Sequence, residues 1–444
     1  MKWFQETAVN AITTISGKLY REMKRISTIT ISILLSIICQ ESLKAQVTMP
    51  RLKEDSNRAG CLFHSYEFKE IEDSKPPKGY KPFYVSHYGR HGSRYHADSS
   101  AHISALLALN HADSIGNLTP EGEDLKNKIN AIHNAHKGMW GHLTARGSDE
   151  QKALAKRLYE RVPEVFTDKG RKVIDSYSSD VPRCIMSMAC FTGSLIACNP
   201  SLEISYETGA RCSEYLRCGT AALKAKAHYY PLMQEEIARA CDWDRTAGIV
   251  FKDPSKTDIS PYKFCDNLWG AWAISRCLDM EDIDIYRYFT PEQLYTIWKF
   301  RSHYYYLIFV KSDIFGDLAI NGVKGLLRDF ISKADAALSD ENTAATIRFG
   351  HDSTLMPFAG LIGLEDFDKV HSTSDSPTDR WDLGTHVCMG SSVQIIFYRN
   401  KSENILVKFI YNEKESTVPA LKPAYGKFYY DWNTVRKYLE ERAR

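Results

Sequence analysis

Features that would indicate a zinc protein or a nucleic-acid-binding protein are missing from this sequence. No two cysteines form a C-x-x-C pair, and no Cys/His spacing resembles a zinc site. No basic run occurs, and 57 Lys and Arg residues almost balance 55 Asp and Glu residues. Because nucleic-acid-binding domains are typically strongly basic, we expect no nucleic-acid partner. If the ligand is an anion, positive charge must be gathered locally in its site.

Repeats and low-complexity tracts are also absent. The 444 residues are 43% hydrophobic and 12% aromatic. This is enough apolar material for one large domain or for two packed ones.

A hydrophobic run long enough to span a bilayer is lacking near the start of the chain. The apolar stretch from Ile26 to Cys39 has 14 residues, whereas a transmembrane helix needs about 20. The basic Met23-Lys24-Arg25 precedes it and the small Ala45 follows it, which is the three-part plan of a secretory signal. We therefore expect residues 1–45 to be an N-terminal extension and a signal peptide (Met23–Ala45), with translation starting at Met23. The alternative is a buried helix near a true N-terminus.

Export would place the mature protein in the periplasm or outside the cell, with no stable membrane insertion once the signal is removed. An oxidising compartment permits disulfides. Cys212 and Cys218 are the best candidate pair, and the other cysteines are typical of small buried hydrophobes.

Strand-like and helix-like segments alternate along the rest of the chain. Apolar, β-branched and aromatic runs predict strands, the last two resembling a hairpin, at 82–87, 172–177, 345–349, 392–398 and 404–411. Helical periodicity and capping signals predict helices at 101–115, 121–136, 148–162, 183–197 and 323–338. This alternation favours an α/β fold with helices on both faces of a sheet.

The aromatic-rich, helical stretch 200–300 predicts an inserted, mostly α-helical subdomain. It would divide the α/β core into a first part, 50–199, and a second part, 301–444.

A cluster suited to phosphate chemistry follows the first predicted strand. It places a histidine between two arginines, with glycines that let the backbone approach a ligand, in the order Tyr88-Gly89-Arg90-His91-Gly92-Ser93-Arg94. Arginine donors match phosphate oxygens bidentately. Two flanking cations should lower the pKa of His91 and keep it neutral and nucleophilic. The alternative is a turn with solvated arginines.

Two further clusters also follow predicted strands. Arg348-Phe349-Gly350-His351-Asp352 offers a carboxyl group that can protonate a leaving alkoxide, although an Asp there can equally cap a helix. Ser178-Ser179-Asp180-Val181-Pro182-Arg183 brings an arginine to a helix start, where free N–H groups favour anions. Taken alone, this arginine is more typical of a surface residue. In α/β sheets ligands bind outside the carboxyl ends of the strands, so we expect the three clusters to meet.

Together the clusters resemble the histidine phosphatase superfamily, specifically its acid phosphatase and phytase branch. Arg90-His91-Gly92-x-Arg94 is similar to the nucleophile motif, His351-Asp352 to the proton-donor motif, and Arg183 to the third phosphate-binding arginine. The similarity covers roughly residues 80–435. It implies a phosphoglycerate-mutase-like, doubly wound α/β core with an α-helical insertion.

The resemblance also implies an activity, the hydrolysis of phosphate monoesters through a phosphohistidine. His91 would be the nucleophile and Asp352 the general acid. The phosphoryl oxygens would be held by Arg90, Arg94, Arg183 and His351. The partner would be a small-molecule phosphate ester, with no metal and no other cofactor.

A weaker resemblance concerns the multiple inositol polyphosphate phosphatases, whose Leu-Thr-x-x-Gly is similar to Leu143–Gly147. There are two departures from the family pattern, of which the one at the proton donor weakens this assignment, although phytases with His-Asp occur in the same branch. Those enzymes typically carry His-Ala-Glu where this chain has His-Asp, and the nucleophile motif usually continues to a Pro where this chain has His96. A phytate-like polyanion would need basic residues at the pocket rim, for which the candidates are Lys137, His96, Arg146 and Arg217.

Two other functions remain open. A mutase uses the same phosphohistidine but returns the phosphoryl group to a bound product, and the predicted signal peptide argues against it. A phosphate-ester binding protein with a degraded site is the other alternative, and the presence of every expected catalytic residue type argues against it.

Overall fold

The computed structural model of the chain describes residues 52, 55–68, 73–168, 170, 172–217, 219–280, 283–372 and 381–444. The predicted signal peptide lies outside the described residues, and so does Cys218. Among the described residues Cys212 has no disulfide partner, and its predicted pairing with Cys218 stays a prediction because Cys218 is not described.

The framework of the protein is an eight-stranded mixed sheet. Its strands are β1 (Lys81–Arg90), β2 (Val173–Ser178), β3 (Glu203–Thr208), β4 (Thr343–Gly350), β5 (Ser392–Arg399), β6 (Ile405–Tyr411), β7 (Lys414–Ser416) and β8 (Tyr430–Asp431). The order across the sheet is β3-β2-β4-β1-β5-β6-β7, and β8 pairs with β6. β1 to β4 are joined by parallel pairings, while β5 and β6 form an antiparallel hairpin.

The register of the central strands determines where the site forms. In the parallel pair β1–β4, Arg90 lies opposite Gly350, and in the pair β2–β4, Ser178 lies opposite Phe349. The carboxyl ends of β1, β4 and β2 therefore meet at one edge, although their segments are far apart in the sequence.

Helices connect and cover the strands. They are α1 (Ile103–Ser114), α2 (Pro120–His136), α3 (Ala145–Arg161), α4 (Pro163–Thr167), α5 (Pro182–Cys198), α6 (Ala210–Leu216), α7 (Thr220–Ala240), α8 (Asp244–Val250), α9 (Pro261–Ser275), α10 (Ile285–Tyr288), α11 (Pro291–Phe309), α12 (Leu318–Asn321), α13 (Lys324–Ser339), α14 (Asp352–Ile362), α15 (Leu383–His386) and α16 (Trp432–Ala443). Within the described part of the chain, none of them is both long enough and apolar enough to cross a membrane.

The core lies on both faces of the central strands, which is typical of parallel strands covered by helices. On one face, Leu158 of α3 and Phe191 of α5 pack with Ile347 of β4. On the other face, Tyr88 of β1 meets Phe358 of α14 with ring centres 6.0 Å apart. Burial of β1 and β4 is nearly continuous, so the sheet holds their carboxyl ends firmly.

The predicted fold class is confirmed, since the chain forms a mixed α/β sheet covered by helices. Each predicted strand and helix occurs with its ends within three residues of those expected. The predicted hairpin is the antiparallel pair β5–β6.

One boundary needs correction. The sequence predicts a mostly α-helical insertion over 200–300, but β3 at Glu203–Thr208 continues the sheet in parallel with β2. This edge strand is largely exposed, so its sequence lacks the apolar run that marked the buried strands. From Ala210 to Phe309 the chain is mainly helical, and the division into core and insertion stays a prediction.

Candidate active site

The three clusters meet at the edge formed by β1, β4 and β2. Arg90 ends β1 and His91 follows it, while His351 and Asp352 follow β4 directly. Arg183 lies in the first turn of α5, after β2. Side-chain contacts link the three segments, so the structure brings the predicted catalytic and phosphate-binding residues together.

His91 is buried, and its ring is held in one orientation. Nδ1 lies 2.9 Å from the carbonyl oxygen of Gly92, and a ring nitrogen facing a carbonyl must carry the proton. In the neutral ring Nε2 therefore carries the lone pair, and it has no hydrogen bond to any described residue. Burial, reinforced by Arg183, Arg90 and Arg94, holds the pKa of His91 well below its usual range. The ring is thus neutral, as the sequence predicted, and its role as the nucleophile stays a prediction.

Three arginines surround this histidine. Arg90 is fully buried and donates to the carbonyl of Val387 at 2.6 Å and to Oδ2 of Asp352 at 2.9 Å. Arg94 donates to the carbonyl of Tyr95, and burial together with the other arginines lowers its pKa to about 10, which leaves it cationic. The Nε–H groups of Arg90, Arg94 and Arg183 are buried and have no hydrogen-bond partner among the described residues. An oxyanion is the kind of ligand that satisfies such donors.

His351 is the second histidine of the site. Its ring centre lies 5.7 Å from that of His91, and Nη2 of Arg183 donates to its Nδ1 at 3.3 Å. Because Nδ1 accepts from Arg183, Nε2 of the neutral ring carries the proton, and it faces Oγ of Ser179 at 3.3 Å. Burial and Arg183 lower the pKa of His351 to about 3. The hydroxyl of Tyr88 accepts the backbone N–H of His351 at 3.0 Å and positions the residue.

Asp352 is the first residue of α14, and its side chain remains one-fifth exposed. Burial raises the pKa of Asp352, but Arg90, followed by Lys226 and His351, lowers it to about 2. The start of the helix also favours the anion. The carboxyl group is therefore ionised in the free site at neutral pH.

The Leu143–Gly147 segment supports the loop that carries His91, through contacts to Ser93. Oγ1 and the backbone N–H of Thr144 both donate to the carbonyl of Ser93 at 3.0 Å, and Thr144 also caps α3. A Cβ on Gly147 would lie 2.1 Å from the same carbonyl. The motif thus lets the first turn of α3 pack directly on the loop that carries His91.

Other supporting residues were not found from the sequence. Glu150 of α3 accepts the N–H and the hydroxyl of Ser93 at 2.6 and 2.7 Å. Ser187 of α5 accepts the N–H of Gly92 at 3.1 Å. Both residues lie on helices outside the recognised motifs. Their supporting role depends on the helix face that each occupies, which packs against the loop that carries His91.

A cavity of about 570 Å³ opens beside the arginines, with Arg94 and Asp352 in its wall. Helices α7, α9 and α11 supply most of the remaining wall, which includes Lys226 and Arg301. The sequence did not predict that these two cations line the cavity, because no motif indicates that the helical segment packs against this edge of the sheet.

No family model matches this sequence, and no curated protein matches it either. Solved structures do resemble it. The multiple inositol polyphosphate phosphatase of Bifidobacterium longum, in complex with inositol hexasulfate, superimposes with a TM-score of 0.70 at 18% identity, covering 86% of this chain and 97% of that one. The phytase from D. castellii superimposes with a TM-score of 0.62 at 15% identity, covering 87% and 85%. Both neighbours are histidine acid phosphatases.

The chain has the histidine acid phosphatase fold.

Within this histidine acid phosphatase fold, the four candidate rim residues lie in different places, and Arg217 is close enough to the site to help lower the pKa of His351. His96 is not at the rim at all, because it is buried with Nε2 facing the carbonyl of Gly270 at 3.1 Å and its ring stacked on that of His136. Arg146 pairs with Asp279, and Arg217 lies 3.7 Å from Asp180. Lys137 is exposed. None of the four lines the cavity beside Asp352.

A group of possible metal ligands exists elsewhere among the described residues. Donor atoms of Asp55, His64 and Glu67 lie within 4.8 Å of one another. The group includes none of the predicted site residues, and Arg58 lies 3.5 Å from Asp55, where it would repel a cation.

Proposed function

We propose that this protein is a phosphomonoesterase of the histidine acid phosphatase type, with a phosphohistidine intermediate. One observation carries the proposal. A buried, neutral histidine with a free Nε2 lone pair lies among three guanidinium groups, on the same edge as an aspartate bound to one of them. Electrostatic stabilisation by such fixed cations is the main catalytic factor in phosphoryl transfer.

The proposed reaction has two steps. Nε2 of His91 attacks phosphorus, the ester P–O bond breaks, and Asp352 protonates the departing alkoxide. Water then attacks the phosphohistidine, the P–N bond breaks, and Asp352 accepts the proton of that water. Arg90, Arg94, Arg183 and His351 would hold the phosphoryl oxygens during both steps.

The low pKa of Asp352 requires a source for the proton. A bound phosphate dianion offsets the charge of Arg90, which is the main group that lowers the pKa of this carboxyl. Substrate binding therefore raises the pKa of Asp352 and lets it carry the proton that the first step consumes. In the free site the same carboxylate is already the base that the second step needs.

We propose an inositol polyphosphate as the substrate class. The support is the fold shared with the multiple inositol polyphosphate phosphatase and the phytase, together with the cavity of about 570 Å³ beside Asp352. Phosphate release from inositol hexakisphosphate, a sugar phosphate and an aryl phosphate should be compared. Faster release from the simple esters would count against this class without touching the phosphatase assignment.

The nucleophile is tested by His91→Ala. We expect turnover of every ester to be abolished, because the side chain forms the covalent bond, while the fold persists. Radiolabelled phosphate trapped under conditions that avoid acid should label the parent chain only. His111→Ala, which removes an exposed histidine of α1, is the matched control and should behave like the parent. Label retained by the His91 variant would refute the assignment, and failure of the parent to release free phosphate would favour a mutase or a binding protein.

We also propose that the protein is exported, on the strength of the signal-like segment Met23–Ala45. N-terminal sequencing of secreted protein should begin at or near Gln46. A mature, active protein that retains residues 1–22 would contradict this proposal.

A further inference from the structure

The cavity beside the arginines is where the leaving group of the proposed reaction must lie. In-line attack by His91 sends the alcohol away from the histidine and toward the acid that protonates it. Asp352 and Arg94 form part of the wall of this cavity. The part of the substrate beyond the scissile phosphate therefore contacts the helices that complete the wall.

Two further cations in that wall differ in how their charge is compensated. Arg301 of α11 is buried, donates to Oδ1 of Asp266 at 2.6 Å, and lies 4.0 Å over the ring of Trp269. Lys226 of α7 lies 5.0 Å over the ring of Tyr305. No carboxylate in the described ranges comes within ion-pair distance of its ammonium group.

Lys226 lines the same cavity as Asp352. Its positive charge also contributes to the lowered pKa of Asp352. Tyr305, aided by Asp352, raises the pKa of Lys226, so its ammonium stays charged across the working range. A charged, half-buried ammonium without a carboxylate partner, on the leaving-group side of the site, is suited to bind an anion.

We propose that Lys226 binds a second phosphate group, carried by the leaving alcohol, and so selects esters with two or more phosphates. This inference rests on the proposed function. The aromatic residues of the same wall complete the subsite, because their rings suit the carbon skeleton of a cyclic alcohol between its phosphates; they are Phe63, Tyr230, Trp269 and Tyr305.

The test is the ratio of kcat/KM for myo-inositol hexakisphosphate to kcat/KM for a myo-inositol monophosphate. Lys226→Met keeps the length of the side chain and removes the charge. A lost charge-assisted hydrogen bond should lower the ratio about 10-fold or more, mainly through the KM of the hexakisphosphate. Lys226→Arg should restore most of the ratio. The control is Lys224→Met, which changes an exposed lysine on the same helix and should leave the ratio unchanged.

The ratio separates this proposal from other roles of the lysine. An equal fall for both substrates would show that Lys226 acts through Asp352 or through the fold, and an unchanged ratio would show that it does not contact the substrate. Either result would overturn the inference. Parent protein that hydrolyses neither ester would instead refute the proposed function, which is scored separately by phosphohistidine trapping.

Discussion

In the proposed reaction Asp352 must act as an acid in the first step and as a base in the second. Arg90 holds the pKa of this residue at about 2 in the free site, which suits a base, while the first step of the proposed reaction needs an acid. The importance of the acid depends on the leaving group, since an alkoxide needs a proton far more than a nitrophenolate does.

Asp352→Asn tests this role, because asparagine keeps the shape of the side chain and can still interact with the start of α14. We expect single-turnover phosphorylation by an alkyl phosphate to slow about 10²–10⁴-fold, and that by a nitrophenyl phosphate to slow much less. In the parent chain, the alkyl ester should also lose activity relative to the aryl ester as the pH rises, because Asp352 loses its proton. Equal effects on both esters would show that Asp352 only supports the helix.

At the scale of the element, α3 packs directly on Gly92 and Ser93, the two residues that follow His91. Gly92 and Gly147 allow the contact, since a Cβ on either would come within 2.4 Å of a backbone oxygen. The glycine of the Leu-Thr-x-x-Gly segment is thus required by packing, and no contact of its own with a ligand is needed to explain it.

Gly147→Ala should therefore displace the loop and lower kcat by about 10²-fold, which is the effect expected of a 1 Å displacement of a catalytic group. Gly193→Ala is the matched control, because Gly193 also lies within a helix but has open space around the position of a Cβ. It should retain full activity and gain slightly in stability. The kcat and the thermal unfolding midpoint of both variants should be measured. Normal activity in Gly147→Ala would contradict the inference that a Cβ at this position displaces the loop.

At the same scale, Arg348 illustrates how a motif residue can be structural. It precedes Gly350-His351-Asp352, yet its fully buried guanidinium binds Asp329 at 2.5 Å and donates to Oγ of Ser86 at 3.0 Å. The alternation of side chains along β4 turns it toward α13. Its place in the cluster predicted nothing about which way it points.

At the scale of the whole molecule, several histidines of the described residues are buried. Burial lowers the pKa of His87 to about 3 and that of His102 to about 4, and it holds the pKa of His91 and His96 well below the usual range. These side chains stay neutral in the folded protein, while the unfolded chain takes up protons below about pH 6.5. The unfolded state then binds more protons, so stability is lost as the pH falls from 6.5 toward the folded pKa values.

We expect the free energy of unfolding to fall by about 2 kcal/mol for each such histidine between pH 6.5 and 5. Denaturant titrations at pH 7, 6 and 5 measure this change. His87→Gln, which cannot titrate, should reduce the slope; His87 lies between the rings of Phe191 and Phe349. A denaturation midpoint that does not change over this range would show that these histidines are protonated in the folded state.

The sequence by itself determined the α/β class and the three clusters of the candidate site. Buried parallel strands need continuous apolar runs, and the chemistry of each cluster is local to a few consecutive residues, as in Arg90-His91-Gly92-x-Arg94. Both signals can be recognised in the sequence without knowledge of contacts between distant residues. The edge strand β3 was missed for the complementary reason that its exposed residues need not be apolar.

Only the tertiary structure decided which side chains complete the site and in what charge state. Lys226, Glu150 and Ser187 reach it from helices whose orientation depends on packing, and His96 was placed at the rim although its ring is buried against His136. The pKa of Asp352 depends on Arg90, which is 262 positions away along the chain. Charge interactions and burial act through space, and a linear pattern of residues does not contain those distances.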